Sequence, residues 1–373
     1  MKKKVYNEDG KNNVKVTKPL PGNQWLKILI NADCRVEVCQ DLSILTKDQI
    51  IDLIGNNCQG AIGQLTEPWD KELFEALKQA GGKVYSNYAV GFNNLDVQGA
   101  TELGLPLGNT PGVLTETTAE MAATLTFAAA RRVGEAERFI RRGQFMGWLP
   151  ELFLGTQLQR SCLGIIGAGR IGEYFAKMMI SSCYTDLIYY DPYPNPRLEK
   201  WINDFNDFLS KQGEKPVTCK RAEHTEELYC NADIISLHPI LNESTHHMIN
   251  ATSLKKMKTD AILINVGRGP LIDEKALVSH CQTHPEFKVG LDVFEDEPVL
   301  APGLLELQNV VIVPHIASAT TWTRQGMAIL AAANVAGILQ GYPVNKSNDV
   351  RPFLSDNPPK AAASIINAKE LGL

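Results

Sequence analysis

No stretch of this chain stays apolar for the roughly 18 residues that a membrane-spanning helix requires, so the sequence carries no sign of a helical membrane anchor. Its eight cysteines are scattered, and no C-x-x-C occurs. That excludes the common zinc motifs and a disulfide framework, and it points to reduced thiols in a cytosol-like compartment. Charge of one sign is not in excess: 37 Lys and Arg face 42 Asp and Glu, for a net −5. A nucleic-acid binder would show a basic surface, so no nucleic-acid partner is expected. The start is basic, but Glu8 and Asp9 follow and no apolar segment does, so neither a secretory signal nor a transit peptide is expected.

What is present fits an ordinary globular protein. There are 373 residues, 44% of them hydrophobic, enough for two domains. From Trp25 to Asn109, short apolar runs alternate with helical patterns. Lys27–Ile30, Val36–Cys39, Gly60–Leu65, Lys83–Ser86 and Leu105–Leu107 read as strands; Lys47–Ile54, Lys71–Gln79 and Leu95–Glu102 read as helices. Thr117 to Arg141 reads as one long helix leading to a second β-α series. Its strands are Leu163–Ile166, Leu187–Tyr190, Asp233–Leu237, Ala261–Asn265, Val289–Val293 and Val310–Val313. Such alternation implies α/β architecture: two Rossmann-like, doubly wound parallel-sheet domains with a cleft between them. Between Asp191 and Thr225 the chain is longer than a β-α connection needs. Leu198, Trp201, Ile202, Phe205, Phe208 and Leu209 recur there at helical spacing, so an amphipathic helix packed on its own domain is expected. A helix is expected over Thr321–Gln340, and the tail from Pro352 is expected to run over the surface.

The segment Gly167-Ala168-Gly169-Arg170-Ile171-Gly172 is a G-x-G-x-x-G between an expected strand and an expected helix. Gly167 permits the tight turn, Gly169 lets a pyrophosphate approach the backbone, and Gly172 lets the helix pack on the strand. The motif alone is weak, but Asp191 ends the next strand. A carboxylate there accepts hydrogen bonds from the adenosine ribose and repels a 2′-phosphate. The cofactor expected is therefore NAD(H), and no metal is expected.

Three later strands each end in a polar group: Arg268 between Gly267 and Gly269, the run Asp292-Val293-Phe294-Glu295-Asp296-Glu297, and His315 after Pro314. Each has an ordinary structural reading on its own. Together, after a dinucleotide loop, they make the set a keto-acid reductase needs: a guanidinium fork for a carboxylate, an imidazole to protonate the developing alkoxide, and a carboxylate to keep that imidazole charged.

These segments resemble the D-isomer-specific 2-hydroxyacid dehydrogenases, and more closely the plant-type, NADH-dependent hydroxypyruvate reductases. The likeness extends to Val113–Glu120 and to Ser364–Lys369 in the tail. It implies a catalytic trio of Arg268, Glu297 and His315, with Glu297 rather than Glu295 paired to His315. It implies that Val90 and Gly91 hold the substrate carboxylate through backbone amides, a stretch that by itself reads only as a turn. Asp292 would help seat the nicotinamide; Arg170, Ile171, Val266, Gly267 and Ser318 would line the cofactor. Trp148 and Trp322 are candidates to contact a substrate hydroxyl. The resemblance further implies a homodimer, and a discontinuous substrate domain, 1–125 with 321–373, around an NAD-binding domain, 126–320. Plant members end in a peroxisomal Ser-Lys-Leu, whereas this chain ends in Lys369-Glu370-Leu371-Gly372-Leu373. The expected compartment is the cytoplasm, with the peroxisome as alternative if such a signal was removed. The expected reaction is reduction of hydroxypyruvate to D-glycerate. Its rivals are another 2-keto acid such as glyoxylate, an NAD-sensing corepressor and a methyltransferase.

Overall fold

A computed structural model describes residues 2–347 and 349–373. The chain forms two compact units, 1–114 with 319–373, and 115–318. The sequence reading divides it after 125 and 320. The difference at the first boundary has a physical source. The helix Thr115–Ala130 buries Ala119, Ala122, Leu125 and Ala129 in the core of the second unit, so it belongs there along its whole length.

In the first unit, strands β1 (Lys3–Tyr6), β2 (Asn12–Val16), β3 (Cys34–Cys39), β4 (Gly60–Gly63), β5 (Val84–Asn87) and β6 (Leu107–Gly108) form one sheet in the order β1-β3-β2-β4-β5-β6. All pairings are parallel except β1 with β3. Sequence reading finds neither β1 nor β2. The reason is visible in β2, where Lys15 lies in register with Glu37 of β3 and the two charges pair at 2.8 Å, both largely buried. A paired ion inside a sheet looks like a polar loop when read one residue at a time. Conversely, Lys27–Ile30 lies in helix α1 (Gln24–Asn31), not in a strand. Trp25 and Leu29, one turn apart, face the core, and a short apolar run does not reveal which period it follows. Helices α2 (Lys47–Ile54), α3 (Lys71–Gln79) and α4 (Val97–Glu102) match expectation. They are capped by the side chains of Thr46, Asp70 and Asp96. The helix Thr321–Leu339 returns to pack on α1 and the sheet, burying Met327, Leu330 and Val335.

In the second unit, α5 (Thr115–Ala130) and α6 (Val133–Arg141) replace the single long helix. Arg132 breaks it with a left-handed backbone, φ 51°, while its guanidinium grips Glu135 at 2.8 and 2.9 Å. Seven parallel strands follow: β7 (Cys162–Ile166), β8 (Asp186–Tyr190), β9 (Cys219–Arg221), β10 (Ile234–Leu237), β11 (Ile262–Asn265), β12 (Lys288–Leu291) and β13 (Val310–Ile312). Their order is β13-β12-β11-β10-β7-β8-β9. Chain order reverses between β7 and β10, which is where a parallel α/β sheet opens a crevice at its carboxyl edge. Helix α7 (Arg170–Cys183) leaves β7. The insertion forms helix α8 (Pro196–Lys211), with Leu198, Ile202 and Leu209 buried. It leads to β9, a seventh strand that sequence reading misses because it is short and exposed.

The tail departs from expectation. Instead of lying on the surface throughout, Ala362, Ala363 and Asn367 are buried, and Ile366 N donates to Leu107 O at 2.7 Å. The segment around Ile365 adds an antiparallel edge beside β6.

Candidate active site

The glycine loop follows β7 at the switch point. Gly167 adopts φ 91°, and a Cβ there would fall 2.6 Å from the backbone of His238 and Pro239 at the end of β10. Only glycine satisfies both demands. A Cβ on Gly169 would meet nothing within 4 Å, and among the described residues no side chain caps the N-terminus of α7. First-turn amides facing open space fit a bound pyrophosphate. Arg170 is exposed there and Ile171 is half-buried, while Gly172 packs on the loop itself.

Asp191 follows β8 directly. Its Oδ1 accepts from Tyr193 N at 2.9 Å, and among the described residues Oδ2 has no protein partner. The carboxylate thus caps its own turn and leaves one oxygen available. Sequence reading finds no cation near Asp191, but the fold supplies one. Arg221 of β9 donates to the carbonyls of Asp191 and Pro192, each at 2.9 Å. Replacing Asp191 with Ala should therefore do more than weaken NADH. It should raise kcat/KM with NADPH, because the guanidinium then lies beside an unopposed 2′-phosphate. Steady-state rates with both cofactors check this, and an NADPH rate unchanged in the variant would remove Asp191 from the selectivity role.

The strand ends of the same sheet edge carry the remaining groups. Val266 is buried just beyond β11. Asn265 then shapes the arginine loop, accepting from Gly267 N at 3.0 Å and donating to Arg268 O at 2.8 Å. A Cβ on Gly269 would come within 1.8 Å of Phe294 O, so this loop lies directly on the backbone that leads to Glu297. Arg268 is half-buried, its Nη1 donating to Gly267 O at 2.7 Å. Burial pushes its guanidinium below the ordinary value, and the Glu297 charge opposes that shift.

His315 Nδ1 and Glu297 Oε2 are 2.8 Å apart. The other oxygen of Glu297 accepts from Phe294 N at 3.0 Å, and the Glu297–Pro298 peptide is cis. Glu295, the alternative carboxylate, instead bonds His247 at 2.6 Å. Burial raises the Glu297 carboxyl, but its bonds to His315 and Phe294 and the charges of His315 and Arg268 outweigh burial and hold it below its ordinary value. It is therefore ionised at neutral pH.

Asp292 shows a use that its sequence context does not suggest. It is fully buried. Its two oxygens accept from Ile316 N at 2.6 Å and Ala317 N at 2.9 Å, and its carbonyl accepts from His315 N at 2.9 Å. Asp292 thus clamps the backbone on which His315 stands, in a left-handed conformation of φ 51°. Ser318 ends this segment, half-buried. A second histidine at the sheet edge, His238, is half-buried against Phe175, and burial pushes it down to about 3. It stays neutral and cannot deliver a proton at neutral pH.

Val90 and Gly91 lie in the first unit, on the turn after β5. Trp148 is 82% exposed, in an apolar segment with Phe145, Met146 and Leu149 after α6. Trp322 is likewise exposed, at the start of the return helix.

A glycine-loop parallel sheet with an Arg, Glu and His at its carboxyl edge defines a nucleotide-linked oxidoreductase, and the relatives specify which. Residues 123–317 match the family described as D-isomer specific 2-hydroxyacid dehydrogenase, NAD binding domain. The chain is 55% identical over 372 residues to a glycerate dehydrogenase from Cucumis sativus, covering 99% of this chain and 97% of that one. It is 54% identical to a peroxisomal glycerate dehydrogenase from Arabidopsis thaliana, with the same coverage. A solved protein from Thermus thermophilus, TT0316, matches with a TM-score of 0.78 at 34% identity, over 95% of this chain and 99% of that one. The chain belongs to the D-isomer-specific 2-hydroxyacid dehydrogenases, and NAD(H) is its cofactor.

Proposed function

We propose that the chain reduces hydroxypyruvate to D-glycerate with NADH, and that Arg268, Glu297 and His315 carry the reaction. The observation that carries this reading is the His315–Glu297 pair at 2.8 Å beside Arg268, at the strand ends next to the glycine loop. The Cucumis and Arabidopsis relatives are glycerate dehydrogenases, and glycerate is the product of the proposed reduction.

The bound cofactor supplies the hydride that reaches C2 of the keto acid. The glycine loop and the first turn of α7 would hold its pyrophosphate, Asp191 its adenosine ribose, and Val266, Gly267 and Ser318 would line it, while Asp292, buried with both oxygens on backbone amides, would act at the nicotinamide only through the segment it clamps. Arg268 orients the substrate through two parallel hydrogen bonds. The Val90 and Gly91 amides take the substrate carboxylate. With Nδ1 committed to Glu297, the transferable proton is the one on His315 Nε2. That proton goes to the alkoxide oxygen as charge develops there, and the neutral imidazole is reprotonated from solvent.

Reduction needs the protonated imidazole, so activity falls as pH rises. Glu297→Gln removes the anion that favours the imidazolium. The alkaline limb of the kcat/KM profile should therefore move to lower pH. An unchanged profile would take Glu297 out of this role.

We further propose a homodimer. The apolar segment that carries Met146, 92% exposed, and Trp148 is the kind of surface that a second copy covers. In that arrangement Trp148 would serve the partner's substrate site, where its indole N–H can meet the hydroxymethyl group. Of the two compartments considered, the Arabidopsis relative's name supports the peroxisome. Among the described residues no helix is long and apolar enough to cross a membrane.

The deciding experiment is NADH oxidation with a panel of 2-keto acids. A site that bonds the substrate hydroxyl rejects analogues lacking it, so kcat/KM for hydroxypyruvate should exceed that for glyoxylate and for pyruvate. A glyoxylate preference would sink the substrate assignment and leave the reaction class standing.

A further inference from the structure

The turn after β5 is held through its carbonyls. Three successive carbonyls are pinned: Ala89 O by Thr110 N at 2.8 Å, Val90 O by Asn109 Nδ2 at 2.9 Å, and Gly91 O by Asn87 Nδ2 at 3.0 Å. Among the described residues, the amides of Val90 and Gly91 donate to no protein acceptor. These facts are connected by the planarity of the peptide. The carbonyl of one residue and the N–H of the next belong to one rigid trans unit and point in opposite directions. Pinning Ala89 O therefore aims the Val90 N–H, and pinning Val90 O aims the Gly91 N–H. Two successive amides with no protein acceptor are suited to receive an anion.

The Asn109 bond depends on which way round its carboxamide lies. With Nδ2 toward Val90 the two groups bond; turned over, Oδ1 would face the Val90 carbonyl, oxygen against oxygen. Ser364 decides between them. Its hydroxyl donates to Asn109 Oδ1 at 2.7 Å, and Asn109 is 7% exposed, so little solvent competes. The Ser364 backbone is held independently: Ser364 N donates to Asn334 Oδ1 at 2.8 Å, and Asn109 N donates to Ser364 O at 3.3 Å. The neighbouring Ile366 and Asn367 bond both sides of Leu107. The hydroxyl is thus presented by a fixed piece of main chain.

We infer that Ser364 is a positioning residue for substrate binding: through the Asn109 carboxamide it aims the Gly91 amide at the keto acid's carboxylate. The inference rests on the proposal that the Val90 and Gly91 amides receive that carboxylate. It gives the tail, more than 250 residues away in sequence from Asn109, a part in recognition.

The test uses three variants of the full chain, with thermal unfolding as a control on the fold. Ser364→Ala keeps the backbone bonds and removes the hydroxyl. It should raise the keto-acid KM about three- to tenfold, the worth of one hydrogen bond, while kcat at saturation and the NADH KM stay put. Ser364→Thr keeps the hydroxyl and should restore the native KM. Gly91→Pro deletes the Gly91 N–H and tests the underlying reading directly; it should raise the keto-acid KM more than Ser364→Ala does and leave NADH binding intact. If Gly91→Pro raises KM and Ser364→Ala does not, the Ser364 relay is overturned and the amide receptor stands. If Gly91→Pro leaves KM unchanged, the receptor itself is wrong and the inference falls with it. Loss of thermal stability in Ser364→Ala without a change in KM would make Ser364 merely structural and also overturn the inference.

Discussion

His315→Asn should lower kcat by about 10²- to 10⁴-fold, the usual worth of a positioned general acid, while NADH still binds. Asn is a better probe than Ala because His315 has φ 51°, a conformation Asn tolerates through its short polar side chain. Alanine would add backbone strain to the chemical loss. The cofactor contacts proposed for the glycine loop and Asp191 lie on other strands, so NADH titration followed by fluorescence should give a near-native Kd. The two readouts separate the roles. A fall in kcat with binding retained identifies proton delivery. Loss of both together would mean that the His315 segment, clamped by Asp292, is a structural element of the cofactor site.

The second large effect is expected at Arg268. Arg268→Lys preserves the charge and forfeits the planar fork. A hydrogen bond to a charged group is worth about 1.5–3 kcal/mol, so losing one arm of a bidentate contact should cost ~10- to 150-fold in kcat/KM for the keto acid. The cost should rise further because the shorter side chain leaves a desolvated charge where the guanidinium stood. NADH affinity should hardly move. Equal losses for keto acid and NADH would place Arg268 in cofactor binding instead.

Much of this is legible in the sequence because the relevant signals are local. The glycine loop, the strand that ends at Asp191, and Arg268 and His315 each sit within a few residues of a strand end, and strand ends show as changes of pattern; the choice of Glu297 over Glu295 comes from the resemblance, since the run 292–297 offers several carboxylates. Features that depend on partners distant in sequence do not show. Strand β2 is hidden because Lys15 is neutralised by Glu37, and no local reading reveals that a lysine will be paired. Helix α1 reads as a strand because three apolar residues, Ile28, Leu29 and Ile30, do not fix a period. The break at Arg132 is invisible because nothing in the helical pattern marks it; the left-handed turn is stabilised by its own pairing with Glu135. The cation beside Asp191 comes from Arg221, on a strand that lies beyond the inserted helix. The tail reads as a surface segment because its Pro- and Ala-rich composition gives no hint of the edge it completes.

Arg268, Glu297 and His315 all project from the carboxyl edge of one sheet, in the unit 115–318. The turn that carries Val90 and Gly91 belongs to the other unit. Proton delivery and the proposed carboxylate receptor are therefore written in separable parts of the chain, and they can be inherited at different rates. A lineage can alter the β5 turn, its carboxamide props or the tail behind them without disturbing the acid-base pair. Changes that tune affinity for the carboxylate can in this way accumulate while each copy keeps its acid-base pair.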